Sequence, residues 1–254
     1  MGIGNAFSAI LNKLSGKPQK PRFTSAVILA GGNSTRMGEG TSKQWLTLDG
    51  IPVIVRSLLA FETCALINEI VLVAKADELA KYESIREEYS LKKLTVIVEG
   101  GEDRQTSAKN GFYAISEDAT FVAIHDGARC LVTVDEIERV CRAAYTAGAA
   151  TAAARVNDTV KLSTDSGYIE TTVDRNKVWL AQTPQVFGTA VYHAALAATQ
   201  RDRIKVTDDC SLAEYIQHPV RLVQCSPDNI KLTVPEDVIR AEAILAARKR
   251  EETI

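Results

Sequence analysis

The sequence predicts an α/β fold, a mostly parallel sheet with helices on both faces. Two patterns predict it. From about residue 23 onward, short apolar runs alternate with segments of helical periodicity, the β-α-β-α order that builds parallel sheets. The first of these runs, Ala26-Val-Ile-Leu-Ala30, breaks directly into Gly31-Gly32, as a buried strand does when it ends at a ligand-binding turn. At 254 residues the chain is long enough to bury a sizeable core.

Residues 1–22 stand apart as an N-terminal extension. Phe7, Ile10, Leu11 and Leu14 give a short amphipathic pattern, and a polar, proline-bearing linker follows it. Residues 23–254 then read as one domain. Strands are expected at 26–29, 70–74, 94–98, 120–124 and 151–154. Helices are expected near 53–61, 78–89, 107–115 and 134–146. Thr133-Val-Asp-Glu136 supplies a capping box for the last of these helices, and Gly148 supplies its stop. Over about 156–185 the period switches to two, around Asp165-Ser-Gly167, which predicts a protruding β-hairpin arm. A lone hairpin is marginally stable in water, so this arm is expected to pack on a second copy of the chain. A closing helix starts near Thr233, with a second box Thr233-Val-Pro-Glu236 and a buried stripe of Val234, Val238, Ala241 and Leu245.

Composition excludes several functions. The net charge of −2 offers no global basic field for nucleic acid, and no apolar run approaches the length of a membrane span. Five cysteines form no Cys-x-x-Cys pair, and the three histidines share no metal-ligand spacing. This argues against a zinc site or disulfide framework and for a reduced, cytoplasmic setting.

The chemistry concentrates where strands end. Gly31 and Gly32 let backbone N–H groups approach a ligand, with Arg36 and Lys43 close behind, a combination suited to a polyphosphate. The spacing matches neither a P-loop nor a dinucleotide fingerprint. Asp126, ending the fourth strand ahead of Arg129, is placed to hold Mg²⁺ or another divalent cation against a triphosphate. His125 reads as structural. Gly101, Arg104 and Ser107 follow the third strand onto the same rim. Thr207 or Asp208 could cap a helix, and Lys231 sits in a short apolar strand where its ammonium needs an anionic partner.

Together these blocks form an ordered set. They are Leu29-Ala-Gly-Gly-x-x-x-Arg-Met-Gly, Ser42-Lys-Gln-Trp-Leu, Gly101-x-x-Arg-x-x-Ser107, His125-Asp-Gly-Ala-Arg, Thr172-Val-Asp-Arg-Asn, Gln182-Thr-Pro-Gln, Thr207-Asp-Asp and Asp228-Asn-Ile-Lys. Over about 25–249 the chain thereby resembles the 2-C-methyl-D-erythritol 4-phosphate cytidylyltransferases. The resemblance implies a Rossmann-like nucleotidyltransferase fold, a dimerising β-arm, CTP and a sugar-alcohol phosphate as substrates, and a divalent cation. It implies that Arg36 and Lys43 stabilise the CTP phosphates and that Ala30, Gly31 and Gly32 contact the nucleotide through backbone. Gly101, Arg104 and Ser107 would lie against cytosine and ribose. Arg129, Thr159, Arg175, Thr207 and Lys231 would hold the acceptor, with Thr159 and Arg175 reaching in from a neighbouring subunit.

Two positions depart from the family pattern: Cys130 stands where proline is usual, and Glu102 where aspartate is common. Two rival readings stay open. A ribitol-5-phosphate cytidylyltransferase has a similar first loop, although the 172–176 and 207–209 blocks favour methylerythritol phosphate. A non-catalytic nucleotide-binding protein would have no need of Arg36, Lys43 and Asp126.

Overall fold

The computed structural model describes residues 22–32 and 42–252. Arg36 and the amphipathic pattern of the extension lie outside these residues. Seven strands form the central sheet: β1 (Thr24–Leu29), β4 (Glu69–Ala74), β5 (Leu94–Glu99), β6 (Phe121–Asp126), β7 (Ala149–Arg155), β10 (Trp179–Gly188) and β11 (Arg221–Gln224), in the order β11-β7-β10-β6-β1-β4-β5. Only β10 runs against the others, pairing antiparallel with both β6 and β7. The carboxyl ends of all the remaining strands therefore share one rim, where α/β sheets place their ligands.

Alternation along β1 explains the two-sided core. Ala26 and Ile28 face one cluster with helices α1 (Val53–Thr63), α2 (Leu79–Glu88) and α4 (Val134–Ala147). Val27 and Leu29 face the other, with α3 (Arg104–Tyr113), α5 (Thr189–Arg201) and α6 (Asp209–Tyr215). A strand buried on both faces must be apolar throughout, which is why β1 and β4 read as continuous runs. The capping box at the start of α4 forms as expected, and Gly148 closes that helix at φ +85°.

A small third cluster joins α7 (Pro235–Glu252) to the β2 (Thr47–Leu48) and β3 (Ile51–Pro52) hairpin and to Cys130, Leu131 and Leu232. The start of α7 differs from expectation. Thr233 N–H, Thr233 Oγ1 and Val234 N–H all donate to Asp237 at 2.7–3.0 Å, and Glu236 is not the capping acid. Pro235 takes the first helical position, so the third, which faces back to the cap, falls on Asp237.

The arm is a two-stranded sheet, β8 (Val160–Ser163) and β9 (Ile169–Val173), turning through Gly167 at φ +84°. The segment expected as arm extends further than this hairpin, because β10 has already entered the main sheet by Trp179, opposite Arg155. Among the described residues no helix is long and apolar enough to cross a membrane.

Candidate active site

Where β1, β4, β5 and β6 end, a cleft of about 720 Å³ opens. Its floor follows from sheet register. Ala30 N–H donates to Val73 C=O, Gly100 N–H to Ala74 C=O and Gly127 N–H to Leu29 C=O, so the segments leaving neighbouring strands lie side by side. Glycine is required where they crowd. A Cβ on Gly101 would lie 2.2 Å from Thr106 Cγ2, and one on Gly127 2.6 Å from Ile54 Cδ1. The start of α3 is brought in by its cap. Asp103 accepts from Thr106 N–H at 2.7 Å, and Ser107 Oγ accepts from Gly101 N–H at 3.0 Å.

Asp126 is the electrostatic centre. Lys231 Nζ stands 2.9 Å from Oδ2, Arg104 Nε donates to Oδ1 at 3.1 Å, and Arg129 Nε lies 3.8 Å from Oδ2. Burial works against the ionised carboxyl, but Arg104, Lys231 and Arg129 outweigh it and hold Asp126 well below the usual carboxylate range. Arg104 is shared with a second carboxylate, its Nη1 donating to Asp209 Oδ2 at 2.7 Å. Around Asp126 and Asp209 three cations thus meet two carboxylates, while Lys43 and Lys75 share the rest of the lining with Glu99, Glu102 and Asp103. The local excess of positive charge beside Asp126 suits an anionic group.

His125 lies beneath. Arg129 C=O can only accept, which puts the ring proton on Nε2 and leaves Nδ1 to take the hydroxyl of Thr183 at 3.0 Å, whose Oγ1 accepts from Asp126 N–H at 3.0 Å. The imidazole is then neutral with its proton on Nε2, facing the Arg129 carbonyl at 3.3 Å. Burial pushes its pKa down to about 3, so it is no general base.

The antiparallel strand supplies the supports that sequence reasoning left without roles. Between Ala181 and Gln185 the register with β7 shifts, and the bulge accommodates Pro184, which has no N–H to give a ladder. Its neighbours turn to the site. Gln182 donates to Ser226 C=O at 3.0 Å, Thr183 C=O accepts from Asn229 Nδ2 at 2.9 Å, and Gln185 Oε1 accepts from Asp209 N–H at 2.9 Å. The Gln182-Thr-Pro-Gln block was the signal available for them.

Of the expected residues, Gly31, Gly32, Lys43, Gly101, Arg104, Ser107, Asp126 and Lys231 line the cleft, together with Gln44 and Lys75, which the sequence did not single out. Ala30 is buried just behind it. Arg129 stands beside Asp126, with Nη1 donating to Asn229 C=O at 2.8 Å. Lys231 has the anionic partner its position demanded but lies in extended loop rather than strand. Asp208, not Thr207, caps α6, accepting from Ser211 N–H at 3.1 Å. Thr207 is exposed outside the cleft, as are Thr159 and Arg175 on the arm, where Arg175 Nη1 donates to Asn157 C=O at 2.7 Å. Cys130 leaves the Arg129 loop well tied: Arg129 N–H donates to Asp126 C=O, Leu232 N–H to Ala128 C=O and Arg248 Nη1 to Leu131 C=O, at 2.8–2.9 Å.

Comparison with known proteins agrees with this geometry. The family model for 2-C-methyl-D-erythritol 4-phosphate cytidylyltransferase matches residues 24–247. A protein of that name from Syntrophus aciditrophicus is 42% identical over 234 residues, covering 92% of this chain and 98% of its own. One from Geobacillus kaustophilus is 41% identical over 226 residues, covering 89% and 98%. Among solved structures, 4-diphosphocytidyl-2C-methyl-D-erythritol synthase from Anaerococcus prevotii superposes with a TM-score of 0.80 at 29% identity, over 89% of this chain and 96% of that one. The Thermus thermophilus 2-C-methyl-D-erythritol 4-phosphate cytidylyltransferase gives 0.71 at 28%, over 87% and 98%. Matched along nearly its whole described length in sequence and in fold, the chain belongs to the 2-C-methyl-D-erythritol 4-phosphate cytidylyltransferase family.

Proposed function

We propose that the chain transfers the cytidylyl group of CTP to 2-C-methyl-D-erythritol 4-phosphate, giving 4-diphosphocytidyl-2-C-methyl-D-erythritol and pyrophosphate in isoprenoid biosynthesis. A phosphate oxygen of the acceptor bonds to the α-phosphorus while the bond from that phosphorus to the bridging oxygen of the β-phosphate breaks. Its electron pair leaves with pyrophosphate. The attacking oxygen is already anionic near neutral pH, so the protein need not remove a proton. Its task is to bring two mutually repelling polyanions into line and neutralise them.

The observation that carries this reading is the convergence of Arg104, Arg129 and Lys231 on Asp126, at a cleft that Gly31, Gly32 and Lys43 also line. In this reading Ala30, Gly31 and Gly32 present backbone to the nucleotide, and Gly101, Arg104 and Ser107 meet its cytosine and ribose. Arg36 and Lys43 stabilise charge developing at the α-phosphorus. Arg129, Thr207 and Lys231 hold the acceptor phosphate, with Thr159 and Arg175 of a second copy.

A divalent cation fits the donor set in one form. Among the described residues no three His, Cys, Asp or Glu side chains converge to hold a metal by themselves. Mg²⁺, however, is commonly bound through one or two carboxylates plus substrate phosphates, and Asp126 provides such a carboxylate. Bound there, Mg²⁺ would offset the negative charge of the triphosphate.

A homodimer through the arm is part of the same reading. Leu162, Tyr168 and Ile169 are 50–76% exposed on a hairpin that a second copy would cover. The five unpaired, buried cysteines fit a reducing cytoplasmic setting.

A pyrophosphate-release assay across the four nucleoside triphosphates tests the reading, with methylerythritol phosphate and ribitol 5-phosphate as acceptors. Release with CTP and methylerythritol phosphate is expected. Equal or reversed acceptor preference, or CTP binding without release, would refute it.

A further inference from the structure

Arg104 is held from two sides by carboxylates on different elements: Asp126 at the end of β6 and Asp209 at the start of α6. Asp209 is itself 1% exposed and fully engaged. Its N–H is taken by Gln185, its Oδ2 by Arg104, and its Oδ1 accepts the hydroxyl of Tyr192 at 2.6 Å. Tyr192, on α5, lies outside every motif noted in the sequence. Its ring is buried between Phe112 and Phe187, with centroids 4.9 and 5.3 Å away, which fixes the position from which the phenol donates. Burial and the neighbouring Asp209 raise its pKa well above the usual tyrosine value, so it remains a donor.

Two of the five N–H donors of the Arg104 guanidinium are spent on these carboxylates, and Arg104 itself lines the cleft with three donors beyond them. With Asp209 absent or turned aside, Asp126 alone would hold the guanidinium, and the planar fork would close on it in the bidentate way arginine favours. The number of free donors would be unchanged, but the plane of the guanidinium, now fixed by carboxylates on two sides, would turn with Asp126 alone.

We propose that Asp209 and Tyr192 are positioning residues that hold Arg104 in the orientation in which it receives the nucleotide. This rests on the reading of Arg104 as a nucleotide contact. Tyr192 orients Asp209, Asp209 draws one arm of the guanidinium away from Asp126, and the remaining donors stay directed at the ligand. A group more than one residue removed from the substrate thereby sets nucleotide affinity.

The test is a double-mutant cycle in the full chain, with Tyr192→Phe, Arg104→Gln and the pair, read as KM for CTP, KM for the acceptor and Tm. Tyr192→Phe keeps the buried ring and removes only the hydroxyl. It is expected to raise KM for CTP about tenfold while leaving KM for the acceptor unchanged. In the Arg104→Gln background the same substitution should change KM for CTP less than about twofold, since the group it acts through is gone. Asp209→Asn should behave alike. An equal effect of Tyr192→Phe in both backgrounds, or none beside an intact Arg104→Gln effect, overturns the proposal. If Arg104→Gln itself leaves KM for CTP unchanged, the reading of Arg104 fails first and the inference falls with it.

Discussion

His125 makes the protein acid-sensitive in a window that can be worked out. The ring is fully buried, packs at a tilt against Phe61 at 4.8 Å between centroids, and has its pKa pushed down to about 3 from an ordinary 6.5. Between those values only the unfolded chain binds a proton at this residue, so stability falls as pH falls. With 6.5 for the unfolded chain, the term is about 2 kcal/mol at pH 5 and about 0.2 kcal/mol at pH 7. Its ceiling, reached below the folded pKa, is about 5 kcal/mol. Asp126 does not enter this window. Its carboxyl is held below 3.8 and is ionised in both states at pH 5, so its contribution is lost only at more acid pH. The assay is urea unfolding of the wild type and His125→Asn at pH 7 and pH 5. The variant should be less stable at pH 7, having lost packing against Phe61, yet should lose about 2 kcal/mol less than the wild type on acidification. Comparing the two losses removes the packing cost and the histidines common to both proteins. Equal losses would refute the claim that His125 is held neutral beneath Asp126.

Lys231→Met removes the ammonium 2.9 Å from Asp126 and is expected to lower kcat about a hundredfold, measured by pyrophosphate release, and to lower Tm as well, since a buried carboxylate loses a partner; an effect confined to KM would mean that the lysine only binds substrate. Gly111→Ala should destabilise by about 1–3 kcal/mol in urea, although alanine is the better helix former. Its Cβ would lie 2.3 Å from Val27 Cγ1, and adding Val27→Ala should recover part of the loss. Mixed dimers carrying Lys43→Ala in one chain and Arg175→Ala in the other should regain activity that neither homodimer shows. A strict monomer at micromolar concentration in gel filtration would defeat that expectation.

Local signals were readable wherever one residue type answers one local need. Thr133 and Glu136 start α4, and Gly148 ends it, because backbone groups at helix ends must be satisfied nearby. The apolar runs became β1, β4, β5, β6 and β7, and Asp165-Ser-Gly167 became the hairpin turn. Asp237 replaced Glu236 as the acid at the start of α7 because the cap geometry depends on which residue begins the helix, a choice of one position that the spacing leaves open.

Other features needed the whole fold. Nothing in Trp179–Gly188 announces that it will insert between β6 and β7 and run against them, since partners so distant in sequence are chosen by shape and burial in the assembled sheet. That insertion sets Thr183 under Asp126 and Gln185 under Asp209. By itself the sequence determined the alternation of elements and the identity of the charged residues. Only the tertiary structure decided which charges meet. Arg104, Arg129 and Lys231 converge on Asp126 across up to 105 residues of chain, and Coulomb interactions depend on distance through space.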